Sequence, residues 1–74
     1  MLEELKKMIC NYVSADESEI DENTNLRSEL AMSSLDLINL AVEVEETYNI
    51  ELPNEDISGI TTLGDLMKYI SVKK

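Results

Sequence analysis

Histidine, tryptophan and phenylalanine are all missing from this chain, and its 74 residues include one cysteine, one proline and two glycines. Without histidine there is no imidazole to ligate a transition metal or to act as a base near neutral pH. Lone Cys10 has no partner for an internal disulfide, and no histidine or basic cluster adjoins it to lower its thiol pKa. It reads as a small, partly buried side chain of a first helix in a reducing cytoplasm. So few glycines, prolines and large aromatics argue against a turn-rich β-sandwich. Bases are scarce as well: six against 16 acids, for a net charge of −10. That balance excludes a nucleic-acid binder, whose affinity rests on Lys and Arg, and it opposes docking on an anionic membrane. No apolar run approaches the roughly 18 residues of a membrane span. The start of the chain mixes Glu3, Glu4, Lys6 and Lys7 with no apolar signal core.

Apolar residues make up 43% of the chain, too many for a disordered acidic tail. The length suits one small domain over 1–74, which buries about 60% of its unfolded surface. Leu2, Leu5, Ile9 and Val13, flanked by Met8 and Tyr12, repeat every three or four residues and predict a helix over 2–13. Residues 14–32 lose that period, and Ile20, Leu26 and Leu30 are the candidates to pin this long loop to a core. Asp21, Asn23 and Asn25 alternate as calcium ligands do in an EF-hand. The signature then fails twice, with Leu26 at the glycine position and Met32 at the bidentate glutamate. Turn-forming polar residues explain the segment more simply. From Ser33 a helix is predicted to about Tyr48, and Leu52 to Ile57 reads as a short helix with Pro53 in its first turn. Thr62 and Asp65 form a capping box for a last helix that buries Leu63, Leu66, Met67 and Ile70 and ends near Lys73 and Lys74. The expected fold is all-α, a small four-helix bundle of three main helices and a short third one.

The second helix has more apolar faces than a small bundle needs. On a helical wheel Leu37, Leu40, Ala41, Val44 and Tyr48 form one arc, the better candidate for the core, whereas Leu35, Ile38 and Val42 lie on roughly the opposite side and are left over at the surface. From Ser28 to Met67 the chain carries nine acids and no base. Two readings fit: a helix packed on both sides, or an apolar stripe in an acidic field that recognises basic partner patches. The stripe starts at Ser33-Ser34, where Ser33 and Asp36 have the spacing of a capping box. Ser34 has no histidine to activate it as a nucleophile, so any special role comes from modification by another protein. A phosphate there would sit at a helix N-terminus, which favours anions.

The run Leu30-Ala31-Met32-Ser33-Ser34-Leu35-Asp36 resembles the acyl carrier protein family. Glu45-Glu46-Thr47-Tyr48, Ile50-Glu51-Leu52-Pro53, Ile60-Thr61-Thr62-Leu63 and Tyr69-Ile70 follow in matching order, so the resemblance spans essentially the whole chain. It implies a four-helix bundle whose Ser34 bears 4′-phosphopantetheine, added from coenzyme A by a phosphopantetheinyl transferase. Acyl intermediates would ride on that arm as thioesters, in fatty-acid or related polyketide or specialised-lipid biosynthesis. The family pattern is Leu-Gly-x-Asp-Ser-Leu; here Ala31 replaces the glycine and Ser33 the aspartate, leaving Ser33 as the other hydroxyl in reach. The resemblance also implies that Leu35, Asp36, Ile38, Val42 and Glu45 meet acyl-transferring and chain-elongating enzymes. The expected protein is a cytoplasmic monomer, a carrier and not an enzyme. An acidic interaction module without an arm is the alternative, and the missing aspartate is its best support.

Overall fold

The computed structural model describes residues 1–73; Lys74, expected to complement the last helix dipole, lies outside them. Four α-helices follow in order: α1 Leu2–Cys10, α2 Ser34–Tyr48, α3 Asn54–Ile57 and α4 Leu63–Lys73. Their buried side chains, among them Leu5, Ile9, Leu40, Val44, Leu63, Leu66 and Ile70, meet in one core. Burial of this apolar surface is the main force holding the bundle.

α1 ends three residues before the predicted limit. Tyr12 and Val13 both donate their N–H to Ile9 O, at 2.9 and 3.2 Å, so the last turn loosens while both side chains still pack on the core. Cys10 is half-buried and its thiol donates to Ala15 O at 3.3 Å. Burial pushes this thiol's pKa up, with Glu17 and Asp16 adding to the effect.

The long loop is ordered by local polar bonds and by a few apolar anchors. Asp16 caps a 3₁₀ turn over Glu17–Glu19. Asp21 Oδ1 accepts the Asn23 N–H at 2.8 Å, and Asn25 Oδ1 accepts those of Arg27 and Ser28 at 2.9 Å each. Side chains that resembled calcium ligands thus build turns. Ile20 and Leu26 are buried as expected, but Met32 joins them in the core while Leu30 is only half-buried. The loop is also stitched to the start of α4. Leu26 N–H donates to Thr61 O, Leu63 N–H to Thr24 O, and Asn25 and Thr62 form an isolated antiparallel bridge. Gly64 N–H donates to Glu22 O at 2.8 Å, and a Cβ on Gly64 would lie 2.9 Å from that oxygen, so only glycine permits the approach.

α3 is shorter than expected. Pro53, with extended ψ of 155°, caps it from outside rather than sitting in its first turn, and Leu52 before it is a buried anchor. α4 opens as predicted: Thr62 Oγ1 accepts Asp65 N–H at 3.1 Å, and Asp65 Oδ2 accepts Thr62 N–H at 3.2 Å. The backbone bonds from Thr62 and Thr61 lower the Asp65 pKa. Leu63, Leu66 and Ile70 are buried, whereas Met67 is only half-buried at the edge of the core.

Candidate functional site

The site forms where the long loop enters α2. Ala31 has a positive φ of 54°, a region that L side chains enter at a cost and glycine enters freely. The glycine of the family pattern therefore has a backbone reason, and Ala31 bears the strain. Buried Met32 donates its N–H to Leu26 O at 3.1 Å, which pins the chain just ahead of the helix.

Ser33 and Ser34, adjacent in sequence, stand in different chemical situations. Ser33 is the N-cap of α2: its Oγ accepts the Asp36 N–H at 3.2 Å, and Asp36 Oδ2 accepts the Ser33 N–H at 3.1 Å. Ser34 is the first residue of the helix, and its side chain is exposed. Among the described residues its hydroxyl makes no hydrogen bond. Beside it, a cleft of about 120 Å³ runs between the start of α2 and α3. Leu37, Ile38 and Ile57 line it with apolar surface, and Arg27, Asn54 and Ser58 contribute polar groups.

Of the five residues expected on the partner face, Leu35 and Val42 point outward, 66% and 47% exposed. Ile38 departs from its expected place at the surface: it is half-buried and turned into the cleft, because α3 folds over that side of α2. Asp36 is occupied at the cap. Glu45 is half-buried, and its Oε2 accepts the Leu52 N–H at 2.8 Å, so this carboxylate also fixes the link to α3. The opposite arc is the core arc, with Leu37, Leu40, Ala41 and Val44 buried. The larger arc therefore faces the core, and of the opposite arc Leu35 and Val42 stay exposed while Ile38 packs toward α3.

The family described as the phosphopantetheine attachment site matches residues 3–70. The acyl carrier protein of Prochlorococcus marinus (strain MIT 9515) is 36% identical over 76 residues, covering 97% of this chain and 95% of the relative. This chain belongs to the acyl carrier protein family. A solved structure of the acyl carrier protein from Enterococcus faecalis, 23% identical, has a TM-score of 0.85 over 99% of this chain and 92% of that one, so the two share a fold. The protein is a carrier of acyl groups on phosphopantetheine, works with enzymes of acyl metabolism and is not itself an enzyme. The family match sets aside the arm-free reading. No helix among the described residues is long and apolar enough to cross a membrane.

The local geometry suits such an arm. An exposed, unengaged hydroxyl at a helix start lies beside a cleft that offers apolar walls and one cation. Arg27 was not among the residues that sequence reasoning singled out. Its signal was present all the same, as the one base between Lys7 and Lys68.

Proposed function

We propose that Ser34 is the residue that carries 4′-phosphopantetheine, and that residues 1–74 act as one acyl carrier domain. The observation that carries this reading is the contrast between the two serines: Ser33 Oγ is held in the helix cap, and Ser34 Oγ is exposed and unengaged. The arm supplies a terminal thiol whose thioesters stay reactive toward nucleophiles, because sulfur conjugates poorly with the carbonyl. The chain's own residues do the rest. α2 presents the Ser34 hydroxyl to a transferase at its N-terminal end, where the helix dipole favours an added phosphate. Leu35 and Val42 give partner enzymes an apolar contact, and Asp36, Ile38 and Glu45 flank it. The acids around this stripe steer partners with basic docking patches. The carrier works as a cytoplasmic monomer, a reading supported by its free cysteine and its strong like-charge repulsion.

The test is intact mass after incubation with coenzyme A and a broad-specificity phosphopantetheinyl transferase. One phosphopantetheinyl group should appear on the wild-type protein and on Ser33→Ala, and none on Ser34→Ala. A gain lost only in Ser33→Ala would move the site by one residue.

A further inference from the structure

Arg27 is the one base between Lys7 and Lys68, and the fold sets it on the same cleft as Ser34. Its backbone is held by its own N–H and by the residue before it. Asn25 Oδ1 accepts the Arg27 N–H in a tight turn, and the preceding Leu26 is fully buried. The side chain reaches across to the end of α3, where Nη2 donates to Ser58 O at 3.3 Å. A guanidinium has five N–H donors in a planar fork, so this one long bond leaves most of them unspent. Among the described residues no carboxylate forms an ion pair with Arg27, although the chain carries 16 acids. The result is a largely unspent cation on the cleft that Ser34 borders.

We propose that Arg27 is a positioning residue that pairs with the phosphodiester of the arm on Ser34 and draws the root of that arm onto the α2–α3 cleft. The proposal rests on the Ser34 reading above. A phosphodiester is anionic at neutral pH, and its two non-bridging oxygens match the fork of a guanidinium in a way that a lysine ammonium cannot reproduce. The nine acids between Ser28 and Met67 repel that anion, so the one nearby cation decides which way it lies. Leu37, Ile38 and Ile57 then offer apolar surface to the chain that continues from it.

The experiment starts from enzymatically loaded protein whose mass has been checked. No gain in mass, or a gain that survives Ser34→Ala, overturns the Ser34 reading and this proposal with it. With the gain established on Ser34, the Arg27 Nε–H resonance of the wild-type protein should shift between the apo and loaded forms. The phosphorus resonance of loaded Arg27→Gln should move toward that of the same phosphodiester in urea-unfolded protein, and Arg27→Lys should recover part of the difference. An Arg27 Nε–H signal that does not move on loading overturns the proposal without calling on any variant. So does an identical phosphorus resonance in wild-type and Arg27→Gln proteins whose apo forms melt alike. Either result leaves Ser34 as the attachment site.

Discussion

Ala31 holds a positive φ of 54° with a methyl group where glycine would be unstrained. An L residue in the left-handed region costs about 1–2 kcal/mol, offset in part by the greater chain entropy that glycine loses on folding. Ala31→Gly is therefore expected to stabilise the protein by about 0.5–1 kcal/mol, read as a higher urea midpoint with unchanged m. A midpoint that falls would mean the strain is absent. Tyr69 makes a second residue-scale prediction. Its hydroxyl donates to Asp56 Oδ2 at 2.6 Å, and that bond, aided by burial and the negative charges of Asp56, Glu51 and Glu45, pushes its pKa up to about 12. Raised above the usual value near 10, this group contributes stability that is present below that pH and is lost as pH rises toward about 12. Between those limits Tyr69→Phe should lose stability less steeply than wild type in melts taken across the alkaline range. Parallel curves would contradict this. Tyr12, bonded to Glu43, and half-buried Tyr48, bonded to Glu4, have pKa values raised in the same direction, so some slope should persist in the variant.

α2 begins with two serines in different situations, one bonded into the cap and one unengaged. Ser33→Ala removes the side chain that accepts the Asp36 N–H and should cost about 1 kcal/mol of stability. Ser34→Ala removes an unengaged hydroxyl and should melt within experimental error of wild type. Chemical denaturation of both apo variants checks the contrast, and equal destabilisation would show that Ser34 also serves the helix. The same helix ends on Asn49 in the left-handed conformation, with φ 55° and ψ 49°. Asparagine tolerates this better than most residues. From that turn the chain runs to Leu52, whose N–H is caught by Glu45, and then into α3 over Ile38. A charge in the expected partner stripe thus also sets the element that walls the cleft.

Across the whole molecule, a net charge of −10 is held together with few ion pairs. Among the described residues, those formed are Met1 with Glu4 and Lys6 with Glu3, both at the start of α1. All three tyrosines donate to carboxylates of other helices or their flanks, so phenols do the bridging that scarce bases cannot. Unscreened repulsion among the acids should make the bundle marginal at low ionic strength, and added salt should raise its Tm. A Tm that ignores salt would contradict this account. The sequence by itself determined whatever closes within a turn or two of helix. That covers the capping boxes of Ser33 with Asp36 and Thr62 with Asp65, the opposed faces of α2, and the excess of acid. These rest on spacing and composition, which a linear pattern displays. Tertiary structure decided that Met32 fills the core in place of Leu30, that Met67 sits at its edge, and that α3 turns Ile38 inward. It also decided that Arg27 reaches Ser58, 31 positions away, beside Ser34. Such contacts depend on how separate elements share a limited core, and no local period encodes them.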